Sequence, residues 1–210
     1  MEKNLSSSII NGIITLIIAC VSCNVAAQNK DIDLLRRINA GRNNDLDGAM
    51  RSITNSVYPV AAIVPVAELV TGYRTHNRKL IHGGWQTIAG LGVNFGLTFG
   101  LKYAINRARP YVTYTFIVPD HYNKDPSFPS GHTSFAFNTA TSLVIVFPKW
   151  YVAAPAYTWA VLTGYSRMRL GMHYPTDVLA GAAVGTGAAI LAYKGNQWLH
   201  NKRSRAKDKH

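Results

Sequence analysis

The sequence predicts an all-α protein, a polytopic bundle of about five transmembrane helices that follows an N-terminal signal or anchor segment. Apolar residues make up 48% of the 210 residues and charged residues only 15%, against roughly 25% charged in an average soluble domain. Long apolar segments recur between short polar breaks, and none alternates as a strand would. Several of these segments are rich in glycine, which lets membrane helices pack closely.

Residues 1–27 have the layout of a secretory signal peptide. Lys3 precedes an apolar run over residues 9–21, and small residues at 25–27 supply a cleavage point before Gln28. The run is short for a full membrane span. A lipoprotein cleavage box at residues 17–20 and an uncleaved anchor are the alternatives. All three place residue 28 onward outside the cytoplasm.

Residues 28–56 read as a pair of amphipathic helices. Apolar side chains recur at helical spacing on both sides of a break at residues 41–44, at Ile32, Leu35 and Ile38 and then at Leu46, Met50 and Ile53. The stretch carries too many charges to span a bilayer. It is therefore predicted to lie at the membrane interface.

Residues 57–193 form the predicted helical core. Its apolar segments run over about residues 57–73, 80–105, 130–147, 150–165 and 176–193. Two of them are near the lower length limit for a span, so a compact soluble helical bundle is an alternative. Residues 194–210 are rich in lysine and arginine and are predicted to be a basic cytoplasmic tail beside anionic headgroups, with a solvated, frayed end as the alternative.

Charge and cysteine content narrow the functional classes. The net charge of +12 fits nucleic acid, anionic lipid or phosphate substrates. No nucleic-acid motif accompanies the basic residues, so no nucleic-acid partner is expected. Both cysteines, Cys20 and Cys23, lie in the N-terminal segment. No disulfide framework and no thiolate metal site is therefore predicted.

Three short clusters stand at the ends of apolar segments. Lys102 is followed by Arg109-Pro110, the run Pro129-Ser130-Gly131-His132 opens a segment, and Ser166-Arg167 precedes His173 and Asp177. A phosphoryl group in transfer spreads negative charge over its oxygens. Cations at the ends of apolar segments are costly and usually functional. Arginine grips two phosphate oxygens, whereas lysine acts as a point charge.

The remaining cluster residues supply an anion seat and acid–base groups. Ser130 and Gly131 begin a helix, whose N–H groups and dipole favour an anion. Asp177 can hold one nitrogen of His173 and leave the other free to attack. His132 can protonate the leaving oxygen and later activate water. Arg107 and Arg169 lie outside the clusters and are interpreted as rim charges.

The clusters resemble the type 2 phosphatidic acid phosphatase and haloperoxidase superfamily, in the pattern K-x6-R-P, P-S-G-H and S-R-x5-H-x3-D. The resemblance covers about residues 102–181. It implies a helical bundle, a phosphohistidine intermediate on His173 with Asp177 as its partner, His132 as general acid, and no metal or other cofactor. It implies phosphate binding by Lys102, Arg109, Ser130, Gly131 and Arg167.

Three branches of this superfamily compete. Gly-rich apolar segments and the short chain favour a membrane lipid phosphatase over a soluble periplasmic non-specific acid phosphatase or a vanadium haloperoxidase. Basic residues at 74–79, at Lys149 and in the tail predict that the clusters face the periplasm from a bacterial inner membrane. The expected partners are the bilayer and a phosphorylated lipid: lipid A or undecaprenyl pyrophosphate first, then phosphatidylglycerol phosphate or phosphatidic acid.

Overall fold

The computed structural model describes residues 28–40, 42 and 44–207, and this part of the chain is built from helices without a strand. The predicted all-α class is confirmed. The predicted signal or anchor segment lies outside the described residues. The helices are α1 (Gln28–Ala40), α2 (Asn44–Asn55), α3 (Val57–Arg74), α4 (Arg78–Ile105), α5 (Pro110–Thr113), α6 (Gly131–Val146), α7 (Trp150–Arg169) and α8 (Pro175–Lys207).

Helices α3, α4, α6, α7 and α8 match the five predicted apolar segments to within a few residues at most of their ends. The main difference is at α8, which continues past Tyr193 into the predicted basic tail. The tail contains lysine, arginine and alanine, which are strong helix formers. The helix therefore has no local reason to stop where its apolar stretch ends.

Small residues bring α6 and α8 together in the most extensive helix pairing of the bundle. A Cβ atom placed on Gly181 would lie 2.6 Å from the Ser130 carbonyl oxygen, and one on Gly185 would lie 2.0 Å from that of Ser134. Asn138 of α6 donates to the carbonyls of Gly185 (3.0 Å) and Gly90 of α4 (3.2 Å). The two glycines of α8 are thus required for backbone contact with α6.

Four helices share one end of the bundle, here named the motif end. The first turns of α4 meet the last residue of α6, since a Cβ on Gly83 would lie 2.7 Å from Val146. At the opposite end of the bundle, the last turns of α7 meet the start of α8, since a Cβ on Gly164 would lie 2.7 Å from Val178. The motif end is therefore where α4 and α7 finish and where α6 and α8 begin. All three sequence clusters lie there.

The outer surface of the bundle is apolar enough for a bilayer. Ile63 and Val66 of α3 are 62% and 56% exposed, and Phe95 of α4 is 54% exposed. Within the described residues, three helical stretches have the length and composition to cross a membrane: Asp45–Arg74, which joins α2 to α3, Arg78–Thr113 and Pro175–Trp198. Length and composition thus support three of the predicted spans.

Helix α6 is too short to meet this criterion. It has 16 residues, fewer than the roughly 20 that cross a bilayer without help. It packs against α3, α4, α7 and α8, and its buried positions carry threonine, serine, asparagine and alanine. A helix shielded from lipid on its flanks does not need a fully apolar surface.

Helix α1 turns its apolar side toward the protein at the motif end. Ile32 and Leu35 are buried against Ile117 and Tyr174. The side chain of Asn39 accepts from the Val118 N–H (2.9 Å) and donates to the Val118 carbonyl (3.1 Å) and the Arg169 carbonyl (2.9 Å). These contacts hold α1 over the loop between α5 and α6. Its interfacial position in a membrane stays a prediction.

We expect Gly185→Ala to lower the melting temperature of the detergent-solubilised protein, followed by tryptophan fluorescence. The added methyl group would meet backbone of α6, and overpacking of this kind costs about 1–3 kcal/mol. Gly187→Ala is the matched control, because a Cβ there has no neighbour within 4 Å. Melting of Gly185→Ala at or above the temperature of Gly187→Ala would contradict this account of the α6–α8 contact.

Candidate active site

The motif end buries an unusual set of polar side chains. Six of the eight predicted site residues are almost fully buried there: Lys102, Arg109, Ser130, Arg167, His173 and Asp177. Gly131 and His132 are partly exposed. The Ser130 N–H donates to the Asp177 carbonyl over 3.0 Å, so the start of α6 is tied directly to the first turn of α8.

His173 and Asp177 lie on either side of the start of α8. His173 Nδ1 is 3.6 Å from Asp177 Oδ2. The same oxygen accepts hydrogen bonds from the Ser127 hydroxyl and from the Tyr174 N–H (3.0 Å). Ser127 Oγ is also 3.4 Å from His173 Nδ1. The carboxylate is therefore held on the Nδ1 side of the imidazole.

The other nitrogen of His173 faces a cation. Arg109 Nη1 lies 3.5 Å from His173 Nε2 and donates to the Met172 carbonyl over 2.9 Å. Burial lowers the pKa of His173 well below its usual value, and the positive charges of Arg109, Arg167 and Lys102 lower it further. The imidazole therefore stays neutral at physiological pH, which leaves a lone pair on the ring for nucleophilic attack.

Lys102 and Arg109 converge on one carboxylate, that of Asp125. Lys102 Nζ is 3.0 Å from Asp125 Oδ2, and Arg109 Nη2 is 2.8 Å from Oδ1. Burial alone would raise the pKa of Asp125, but these two cations hold it below its usual value. The Asp125 side chain is 39% exposed. A solvent-accessible carboxylate thus pairs with two of the cations predicted to bind phosphate.

Arg167 has a side-chain donor that is not used by the described residues. Its side chain comes from the last turn of α7, is 2% exposed, and donates from Nη1 to the Thr54 hydroxyl over 3.1 Å. Among the described residues, its Nε has no hydrogen-bond partner. A buried guanidinium with an unused donor is costly to the fold. An incoming anion would satisfy it.

Helix α6 begins at this cluster. Ser130 is its N-cap, and its hydroxyl lies 2.9 Å from that of Thr133. Helix geometry leaves the first N–H groups of α6 without partners within the helix. The ring of His132 meets Tyr58 edge-on at 4.9 Å between centroids, which places His132 beside α3 at the more open part of the motif end.

Two interpretations from sequence are wrong. Arg107 and Arg169 are not rim charges: their side chains are 15% and 7% exposed. Arg107 donates from Nη1 to Asp177 Oδ1 over 2.7 Å, and Arg169 lies 3.7 Å from Asp47. Each cation reaches a carboxylate far away in the chain, and no local pattern indicates such a partner.

Three other polar residues of the cluster escaped the sequence analysis. Asp125 and Ser127 lie just before the P-S-G-H run. Their closeness to this motif in the sequence could have indicated that they belong to the site. Asp31 is a charged residue on the buried side of α1, which the helical periodicity of that segment could have indicated. Asp31 bonds Arg107 (2.8 Å) and the Thr176 N–H (2.9 Å).

Comparison with known proteins gives the same family for this chain. The model of the PAP2 superfamily matches residues 83–201. Undecaprenyl-diphosphatase BcrC of Bacillus subtilis is 32% identical over 152 residues, which are 72% of this chain and 76% of that protein. Lipid A 1-phosphatase of Rhizobium johnstonii is 36% identical over 96 residues, which are 43% of this chain and only 38% of that protein.

Two solved structures share the fold. Aquifex aeolicus LpxE aligns with a TM-score of 0.65 at 28% identity, over 78% of this chain and 94% of that one. The first transmembrane PAP2 type phosphatidylglycerolphosphate phosphatase from Bacillus subtilis aligns with a TM-score of 0.70 at 26% identity, over 90% and 95%. The match over residues 83–201 includes all three clusters, and the chain therefore belongs to the PAP2 superfamily, as its motifs predicted.

Proposed function

We propose that this protein is a metal-independent phosphatase that removes a phosphate from a membrane lipid through a phosphohistidine on His173. One observation carries the proposal. His173 is buried with Asp177 behind its Nδ1 and with Arg109 in front of its Nε2. This arrangement orients a neutral nucleophile toward the place where an anion would bind.

The reaction takes place in two steps. His173 Nε2 attacks phosphorus, the P–O bond to the leaving group (an ester, or the anhydride of a pyrophosphate) breaks, and His132 gives its proton to the leaving oxygen. Asp177 stabilises the positive imidazole ring of the intermediate. His132 then takes a proton from water, which attacks phosphorus. The P–N bond breaks, and inorganic phosphate leaves with His173 again neutral.

The cations of the motif end bind the phosphate. Arg109 and Lys102 would grip its oxygens once Asp125 moves aside, and Arg167 would use the Nε that has no partner among the described residues. The first-turn N–H groups of α6 from Gly131 onward would add the helix dipole. Ser130 would contribute its hydroxyl, because its N–H is donated to the Asp177 carbonyl. These fixed charges stabilise the transferring phosphoryl group best where water is scarce.

The substrate is a phosphorylated lipid of the bacterial inner membrane. Exposed apolar side chains on α3 and α4 support a position in the bilayer. Relatives named as an undecaprenyl-diphosphatase and as lipid A phosphatases support undecaprenyl pyrophosphate and lipid A as the first candidates. Phosphatidylglycerol phosphate and phosphatidic acid follow.

The active site faces the periplasm. The end of the bundle opposite the motif end carries the two short connections before α4 and before α7. Their basic residues are Arg74, Arg78, Lys79 and Lys149. Cytoplasmic loops carry such an excess of lysine and arginine. The buried arginines and the lysine of the motif end contact carboxylates or the proposed phosphate site. They are therefore not counted as loop charges when the orientation in the membrane is assigned.

The direct test is phosphate release by the detergent-purified protein with a chelator present. We expect activity on one of the four lipids and a loss of at least about a thousandfold in His173→Gln, because the nucleophile is gone. His76→Asn is the control: His76 is exposed, lies at the opposite end of the bundle and has a positive φ of 53°, which asparagine tolerates.

Other outcomes would contradict specific parts of the proposal. Turnover in His173→Gln would exclude His173 as the nucleophile. Activity on a small soluble ester alone would indicate the acid phosphatase branch. Restoration by added metal after chelation would contradict the metal-independent mechanism, and halide oxidation with vanadate would indicate the haloperoxidase branch.

A second prediction concerns Asp125. We expect Asp125→Asn to lower the inhibition constant of inorganic phosphate by about threefold or more, because the competing carboxylate charge is removed from two cations. Asp33→Asn is the charge-matched control, since Asp33 is exposed on α1. Weaker inhibition in Asp125→Asn than in Asp33→Asn would mean that Asp125 organises the cations instead of competing for them.

A further inference from the structure

Helix α1 reaches the catalytic pair although it precedes the family-matched residues 83–201. Asp31, in its first turns, is 4% exposed. Asp31 Oδ2 accepts from Arg107 Nη2 over 2.8 Å, and Arg107 Nη1 donates to Asp177 Oδ1 over 2.7 Å. A carboxylate, a guanidinium and a second carboxylate thus form a continuous chain that ends beside His173.

Further contacts hold the Asp31–Arg107–Asp177 chain in place. Arg107 also donates to the Thr176 hydroxyl over 2.7 Å, and its guanidinium stacks 3.8 Å above the ring of Tyr174. Asp31 accepts hydrogen bonds from the N–H and from the hydroxyl of Thr176. Thr176 directly precedes Asp177, so Asp31 holds the backbone next to Asp177 as well as the cation that binds the Asp177 side chain.

The two oxygens of Asp177 have different partners. Oδ2 accepts from Ser127 and from the Tyr174 N–H and lies toward His173. Oδ1 takes Arg107. Without Arg107, Oδ1 loses the ion pair that resists rotation of the carboxylate. Rotation would carry Oδ2 away from His173 Nδ1 and release the imidazole from its attacking orientation.

Asp31 also balances charge. Alone beside Asp177, the Arg107 cation would cancel the negative charge that stabilises a positive imidazole in the phosphohistidine. Asp31 shares that cation, so the group of Asp31, Arg107 and Asp177 keeps one net negative charge. That charge lies within the buried motif end, where electrostatic interactions are stronger than in water.

We propose that Asp31 and Arg107 are positioning residues, which act through Asp177 to orient His173 for attack on phosphorus. The inference rests on the proposed function of the site. It makes α1 a working part of the enzyme and not only a cover over the loop between α5 and α6.

Steady-state kinetics provide the first test, with Arg107→Gln, Arg107→Lys and Asp31→Asn measured on the preferred lipid. We expect kcat to fall about tenfold to a hundredfold in Arg107→Gln, because small displacements of a reacting group have effects of this size. The KM should change little, since the proposed phosphate-binding residues are untouched. Arg107→Lys should recover part of kcat, because one ammonium group can pair with one carboxylate but not both.

Three further variants separate a positioning role from a general loss of structure. Asp33→Asn and Arg37→Gln change exposed charges on the same helix and should keep the wild-type kcat. The double variant Asp31→Asn/Arg107→Gln should be no slower than Arg107→Gln, because residues that act through one contact are not additive. Independent losses that multiply in the double variant would overturn the inference.

A spectroscopic measurement tests the inference without relying on turnover. In protein with ¹⁵N-labelled histidine, the His173 signal is identified by its loss in His173→Gln. We expect the Nδ1 resonance of His173 to shift or broaden in Arg107→Gln and in Asp31→Asn, but not in Asp33→Asn. An unchanged His173 signal in both variants would overturn the inference. A wild-type protein that hydrolyses no lipid would instead overturn the proposed function, and the His173 signal would still decide the positioning role.

Discussion

The structure depends on burying cations at one end of a helical bundle. Lys102, Arg109 and Arg167 are almost fully buried, and a buried charge is stable only when it is paired. Asp125 pairs with the first two, whereas Arg167 has a hydroxyl partner and a donor in reserve among the described residues. An anion at the motif end would complete the pairing of these cations, which is why the proposed phosphate site lies there.

The bundle holds these charges in register by close backbone contact. Gly181 and Gly185 let α8 lie against α6, and the Ser130 N–H bonds the Asp177 carbonyl over 3.0 Å. The helix N-terminus proposed to bind phosphate and the carboxylate proposed to orient His173 are thus joined by one direct contact. Flanking helices shield α6, which explains why it can be short and polar and still form the centre of the fold.

Much of this could be predicted from the sequence, because apolar segment lengths and motif spacing are local. The five core helices and the gathering of the three clusters at one end of the bundle are examples. Contacts between residues far apart in the sequence could not be predicted. Asp31 and Arg107 are in contact but lie 76 positions apart, and nothing near either residue indicates the other. The rim interpretation of Arg107 failed for this reason. Asp125 was missed because it pairs with Lys102 and Arg109, which lie at or just after the end of α4, and its own neighbours in the sequence do not indicate this contact.

The proposed role of the motif end in phosphoryl transfer is tested by a crystal structure of the protein with bound orthovanadate, an analogue of the phosphoryl group in transfer. We expect vanadium within bonding distance of His173 Nε2, with its oxygens contacting Arg109, Arg167 and Lys102, and Asp125 displaced from the cations with which it now pairs. Vanadate bound away from His173, or bound while Asp125 still bridges Lys102 and Arg109, would contradict the assignment of this cluster as the phosphoryl-transfer site.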